Sequence, residues 1–254
     1  MIKMKNVYAG YGNELVLQDI NLHLELGKVT VLVGKNGCGK STLLKSLIRL
    51  NPHSAGSITV DGIAVEEFKS NELAQKIAYL PQGKNVPDIS VRRMVLHGRF
   101  AYLNYPRRYR QKDYEISENA LRWVGIEDLA EKNMNQLSGG MQQRVYIAMA
   151  IAQDTPVILM DEPTVYLDIL HQLKVMEMAK KLADEGKAVV MVLHDLTQAF
   201  RYADDIIVME DGKILDAGTP EELFSRKTID TTFQITMSRV LTESGFQYYI
   251  EKEK

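Results

Sequence analysis

VTVLVGKNGCGKST, residues 29–42, divides into three parts. Val29 to Val33 is a continuous apolar run, as expected of a strand buried on both faces of a parallel sheet. Gly34-Lys35-Asn36-Gly37-Cys38-Gly39-Lys40-Ser41 matches G-x-x-x-x-G-K-[ST]. The residues from Ser41 to Leu50 then read as a helix, stopped by Pro52 and Gly56. Strand, glycine-rich loop and helix in that order form a phosphate cradle. Glycines let the backbone curl until successive N–H groups point at one anion. The positive end of the helix faces the same anion. Gly34, Asn36, Gly37, Cys38 and Gly39 form the cradle. Cys38 contributes through its backbone N–H, although a thiol at a helix start can also be acidic and reactive. Lys40 brings a compact charge to the outer phosphates, Ser41 offers a hydroxyl to Mg²⁺, and Thr42 adds a hydrogen bond. A turn alone does not require Lys-Ser after its last glycine. The ligand class is therefore nucleoside triphosphate, with the reaction left open.

Two more apolar runs end in polar groups. Val157 to Met160 leads into Asp161-Glu162, and Ala188 to Leu193 leads into His194. Carboxylates at the end of a buried strand are unfavourable unless positive charge meets them. The strand ends of a parallel sheet share one edge, the edge that also presents the phosphate loop. Asp161 then holds Mg²⁺, and Glu162 polarises an attacking water. Alone, the acidic pair would read as a helix cap and His194 as a structural residue. Beside the phosphate loop, His194 reads as a partner for the γ-phosphate and the water.

The rest of the chain sets limits. Its 31 Lys+Arg against 33 Asp+Glu give a net charge of −2, which argues against broad nucleic-acid binding. One cysteine among 254 residues excludes an internal disulfide and any multi-cysteine metal site. The start, MIKMKNVYAGYGNE, lacks the apolar run of a secretory signal, and no apolar stretch is long enough to span a bilayer. Strands alternating with helices predict an α/β fold with a mostly parallel sheet. LVLQDINLHLEL from Leu15 alternates as short strands, and Asp61-Gly62 centres a hairpin. Pro87 to Asp154 reads as a helical insertion, interrupted at Arg99–Arg110, and a terminal hairpin is expected from MSRVL-TESG-FQYYI. Arg92, Arg93, Arg99, Arg107, Arg108 and Arg110 read first as a solvated basic face, with contact to anionic lipid as the sharper alternative. His23, His53, His97 and His171 show no metal-ligand spacing.

Leu137-Ser138-Gly139-Gly140-Met141-Gln142-Gln143-Arg144 resembles the LSGGQ signature of ATP-binding cassette (ABC) proteins. The motif order agrees with that family: phosphate loop, Gln82 in YLPQ, LSGG, Asp161-Glu162, Leu167-Asp168, His194. Met141 departs from the usual glutamine, which argues against an essential side-chain contact there. The resemblance implies a P-loop NTPase with a RecA-like core, an N-terminal antiparallel β subdomain and an inserted α-helical subdomain. The expected boundaries are 1–86 and 155–225 for the β subdomain and core, 87–154 for the helical insertion with the signature, and 226–254 for a C-terminal extension. It also implies ATPase activity with Mg²⁺ as cofactor. Tyr11, 23 residues before Gly34, would stack on adenine. Gln82 would touch Mg²⁺ or the attacking water. Ser138, Gly139, Gly140 and Asp168 would serve the ATP held by a second copy, so that a head-to-tail homodimer encloses two ATPs.

Between the motifs, EPTVYLDI-x-HQ from Glu162 and VLHDLTQA-x-RYAD from Val192 resemble importers of iron–siderophore, haem and cobalamin cargo, as does Gly98-Arg99 before its Pro/Arg-rich loop. That subfamily implies a polytopic membrane permease as partner, an external substrate-binding protein and a peripheral place on the cytoplasmic side of the membrane, with no nucleic-acid role. Val86, Phe100, Tyr102 and Tyr105 would receive a permease helix. Another importer class stays open, as does a soluble ABC ATPase. The long coiled-coil insertions of DNA-repair ABC ATPases and the second cassette of translation-factor types are absent from the sequence, and a nucleotide kinase does not need LSGG.

Overall fold

The computed structural model describes residues 1–83, 86–165, 167–243 and 245–252. Tyr166 of the EPTVYLDI stretch, residues 84–85 after Gln82 and Ser244 of the terminal turn lie outside the described residues.

The chain begins with β1 (Ile2–Tyr11) and β2 (Glu14–Leu24), then β3 (Val29–Gly34) and α1 (Lys40–Leu47). The hairpin strands β4 (His53–Val60) and β5 (Ile63–Ala64), α2 (Ser70–Ala74) and β6 (Ile77–Leu80) follow. The helical insertion holds α3 (Val91–Leu96), α4 (Gln111–Val124) and α5 (Gly139–Ala152). The core resumes with β7 (Val157–Asp161), α6 (Ile169–Asp184), β8 (Ala188–Val192), α7 (Leu196–Tyr202), β9 (Asp205–Glu210) and β10 (Lys213–Gly218). It ends with α8 (Pro220–Arg226), α9 (Thr228–Phe233) and the hairpin β11 (Ile235–Thr242) and β12 (Gly245–Lys252).

The central sheet has six strands in the order β10-β9-β3-β8-β7-β6, all parallel except β10. Every residue of β3, β7 and β8 is buried, which is why these strands read as unbroken apolar runs. Alternate side chains feed two cores. Val31, Val33, Ile158, Met160, Val189 and Met191 face the cluster shared with α5, α6 and the helical insertion. Leu32, Leu159, Val190 and Val192 face the other, with Leu43, Leu44 and Leu47 of α1 and residues of the four-stranded antiparallel sheet β2-β1-β4-β5. The helix after the phosphate loop is thus wedged between two sheets and presents its N-terminus at a fixed place.

The arginine run is not one solvated face. Arg99 is buried, because its Nε donates to Asp113 Oδ1 at 3.1 Å and its Nη1 donates to the Ala152 carbonyl at 3.0 Å. Its guanidinium also lies 3.8 Å from the Tyr102 ring centroid. The Asp113 Oδ2 accepts from the Arg110 N–H at the start of α4. One ion pair therefore ties together the irregular segment after α3, the start of α4 and the end of α5. Arg99→Ala should destabilise the fold by about 3–5 kcal/mol, since it leaves Asp113 charged, buried and unpaired. Equilibrium denaturation checks this, and an unchanged stability would contradict it.

The terminal hairpin packs on α7. The Tyr248 ring lies 4.9 Å from Phe200 and 5.6 Å from Phe224, centroid to centroid.

Candidate nucleotide site

Gly34 ends β3, and its Cα approaches β9 so closely that a Cβ would lie 2.3 Å from the Met209 carbonyl oxygen. Gly39 has φ +102°, and a Cβ there would lie 2.8 Å from Leu17 Cδ2. Both positions require glycine for space and for backbone conformation. The first turn of α1 contains no acidic residue, so no internal carboxylate competes for its positive end. The Lys40 side chain curls back over the loop and is buried. Its Nζ donates to the Gly34 carbonyl at 2.7 Å and to the Lys35 carbonyl at 3.0 Å. These bonds hold a full positive charge at the mouth of the helix.

A cavity of about 460 Å³ opens at this point, lined by Val16, Asn36, Gly37, Gly39, Lys40, Ser41, Thr42, Gln82, Glu162 and His194. Residues from five separate segments meet here, because the carboxyl ends of parallel strands share an edge. Val16, on β2, has no motif to flag it in the sequence. Cys38 is buried behind the loop, and its N–H donates to the Lys35 carbonyl at 3.3 Å. Tyr11 stands half exposed beside the β1–β2 turn and is not among the residues that line the cavity.

Asp161 lies just behind Ser41. Its Oδ1 accepts from Ser41 Oγ at 3.0 Å and its Oδ2 accepts from the Tyr79 hydroxyl at 3.2 Å. Burial pushes the Asp161 carboxyl above its ordinary range, against the two hydrogen bonds that favour the ionised form. Tyr79 is displaced upward in turn, first by its own burial and then by the charge of Asp161. Sequence reading missed Tyr79, since nothing in IAYL marks a tyrosine whose strand register sets it beside the end of β7.

Glu162 carries φ +52°, a left-handed conformation that is strained for a residue with a Cβ. This turn swings its carboxylate between two partners. Glu162 Oε1 lies 2.7 Å from His194 Nε2, and Oε2 accepts from Gln82 Nε2 at 2.5 Å. A carboxylate, an imidazole and an amide are thus assembled at the rim of the cavity beside the glycine-rich loop.

The signature lies elsewhere. Ser138 caps α5, its Oγ accepting from the Met141 N–H at 3.4 Å, and Gly139 and Gly140 open the helix. Asp168 caps α6, where its Oδ1 accepts from the His171 N–H at 2.9 Å and lies 2.8 Å from His171 Nδ1. Those hydrogen bonds hold the Asp168 carboxyl below its usual range. None of Ser138, Gly139, Gly140 and Asp168 lines the phosphate cavity. The chain therefore carries one glycine-rich loop beside the Glu162 carboxylate and a second, capped helix start apart from it. Among the described residues no cluster of His, Cys, Asp and Glu forms a separate metal site.

Residues 17–165 match the sequence profile of the ABC transporter family. The petrobactin import ATP-binding protein FpuD of Bacillus anthracis is 40% identical over 92% of this chain and 86% of its own length. The ferric enterobactin transport ATP-binding protein FepC of Escherichia coli is 38% identical over 91% of this chain and 86% of its own. Among solved structures, the dimeric ATP-binding cassette MJ0796 with ADP and Pi superposes with a TM-score of 0.75 at 32% identity, covering 87% of this chain and 99% of that one.

Proposed function

The chain belongs to the ABC transporter ATP-binding family, and from that premise we propose that it is the ATPase subunit of an importer for a ferric siderophore, working as a head-to-tail homodimer. The relatives' names support the cargo class, petrobactin in one and ferric enterobactin in another. The observation that carries the mechanism is the separation within one chain. Lys40, Glu162, Gln82 and His194 line one cavity, while Ser138 and Asp168 lie outside it.

Each ATP then lies between Lys40 of one copy and Ser138 with Gly140 of the other. Lys40 and the loop N–H groups bind the outer phosphates. Glu162 orients the attacking water and takes its proton, and His194 stabilises charge on the transferring phosphoryl group. Gln82 reports the state of the site toward the helical insertion. Loss of the γ-phosphate removes what both cradles share, so the pair opens. Tyr11, half exposed beside the β1–β2 turn, would stack on the adenine.

Magnesium fits the residues present. Ser41 and Asp161 offer hard oxygen ligands side by side. Bound there with ATP, the ion would neutralise phosphate charge. Asp161→Asn should abolish magnesium-dependent ATP binding yet leave the ligand-free protein at least as thermally stable at pH 7–8. The sign follows from the shift. A carboxyl raised by burial favours the native state only where it is protonated, and its ionised form at neutral pH is a cost that asparagine lacks. Thermal denaturation of the ligand-free variant decides it, and a clear loss of stability at that pH would contradict the assignment.

The proposed permease contact is the groove of about 560 Å³ lined by His97, Phe100, Ala101, Leu103 and Arg107 with the start of α2. Phe100 is exposed there, and Tyr105, outside the groove's lining, is exposed as well. Tyr102 packs inward instead, its hydroxyl donating to the Asp154 carbonyl at 3.2 Å. No helix among the described residues is long and apolar enough to cross a membrane, so membrane attachment at the cytoplasmic face would come through this groove. The test is purification from native membranes. A co-purifying polytopic protein that stimulates ATP turnover is expected. Recovery free of any membrane protein, with turnover indifferent to membranes, would contradict the reading.

A further inference from the structure

Three glutamines from three different helices converge on the loop that carries Glu162 and Asp168. Gln143 Nε2 on α5 donates to the Pro163 carbonyl at 2.8 Å. Gln172 Nε2 on α6 donates to the Leu167 carbonyl at 3.1 Å and the Thr164 carbonyl at 3.4 Å. Gln198 Nε2 on α7 donates to Gln172 Oε1 at 2.9 Å. Gln198 is itself fixed by its backbone, whose N–H donates to Asp195 Oδ1 at 3.2 Å, one residue after His194. Gln172 and Gln198 both line a small cavity of about 170 Å³ that also touches Glu162 and His194.

We infer that Gln172 and Gln198 form an amide relay that positions Glu162, locking the loop 162–168 to the helix that follows His194. The inference rests on the ATPase reading above and deepens it. The physical need is specific. Glu162 sits in a strained left-handed conformation, and such a residue persists only when its surroundings over-determine it. Among the described residues, two backbone bonds close the turn after it. Val165 N–H donates to the Glu162 carbonyl at 3.3 Å and Leu167 N–H to the Thr164 carbonyl at 3.3 Å, both long. The side-chain amides supply the rest.

The relay has a direction. Gln172 must present its NH₂ to the two loop carbonyls, which leaves its Oε1 facing Gln198. Gln198 must then present NH₂ in turn. Without a donor at position 198, Gln172 Oε1 would lose its partner and the Gln172 amide its fixed orientation; an acceptor there, such as an ionised carboxylate, would also draw the Gln172 NH₂ away from the carbonyls of Thr164 and Leu167. Either change loosens the loop and Glu162 with it. The same chain of bonds joins the two kinds of residue that the dimer needs from each copy: Glu162 and His194 for its own nucleotide, Asp168 for its partner's.

The test measures ATP turnover and ATP affinity separately in the full chain. Gln198→Leu and Gln172→Leu should each lower kcat by about 10- to 100-fold, the scale of a misplaced catalytic group, with ATP affinity unchanged. The double variant should be no worse than either single one, because both break one chain of bonds. Gln198→Glu keeps the shape and supplies a pH signature. Protonated, the carboxyl donates to Gln172 Oε1; ionised, it cannot. Its kcat relative to wild type should therefore fall as pH rises through the new carboxyl's titration. Values of kcat within about two-fold of wild type for both leucine variants, or kcat and ATP affinity lost together, would overturn the relay. An unmutated protein with no ATP turnover would instead refute the ATPase reading, so the two failures are distinct.

Discussion

Glu162→Gln should reduce ATP turnover by about 10²- to 10⁴-fold while the protein still binds ATP, the range expected when a positioned general base is removed. The side chain keeps its size and can still meet Gln82 and His194, which now hold its two oxygens at 2.5 and 2.7 Å. The carboxylate's charge, its second acceptor oxygen and its capacity to take a proton are lost. Because nucleotide remains unhydrolysed, the ATP-joined pair should accumulate. Size-exclusion chromatography in ATP checks this, with the variant eluting as a dimer and the wild type largely as a monomer. Turnover near the wild-type rate would remove Glu162 from its role as base and leave the His194–Glu162 contact as an ordinary ion pair.

Lys40→Ala should act at the other end of the cavity and with the opposite pattern. Nucleotide binding itself should fail, and hydrolysis with it, by about 10²-fold or more. Lys40 Nζ is anchored on the Gly34 and Lys35 carbonyls, so its charge is already placed and little ordering remains to be done when phosphate arrives. The alanine variant loses that charge at the mouth of α1 and keeps the loop glycines. A fluorescent ATP analogue should show weak binding to Lys40→Ala and normal binding to Glu162→Gln. Equal affinity in the two would contradict the division of labour between them.

Much of this site was legible in the sequence because its residues are consecutive. The phosphate loop needs Gly34, Gly39, Lys40 and Ser41 at fixed spacing, and each strand-end group follows an unbroken apolar run. β3 spans Val29–Gly34 and β7 spans Val157–Asp161, each on the apolar run that predicts it. What failed depends on contacts between distant segments. Arg99 reads as one of a basic run until Asp113, on another helix, draws it into the interior. Tyr79 and Val16 matter only through strand register and sheet packing. The helix after the phosphate loop stops at Leu47 rather than Leu50, because Arg49 takes a left-handed conformation at φ +58°.

Mixing two crippled copies shows whether each ATP is shared between paired half-sites. Lys40→Ala disables the cradle of its own chain, and Ser138→Arg blocks the capped helix start offered to the other. Each variant alone should be nearly inactive. Mixed in equal amounts, half of the dimers are hybrids, and in each hybrid one cradle with native Lys40 meets native Ser138, so activity should return to about a quarter of wild type. If the mixture shows only the sum of two residual activities, or if Ser138→Arg alone hydrolyses ATP at the wild-type rate as a monomer, one chain suffices and the account is wrong.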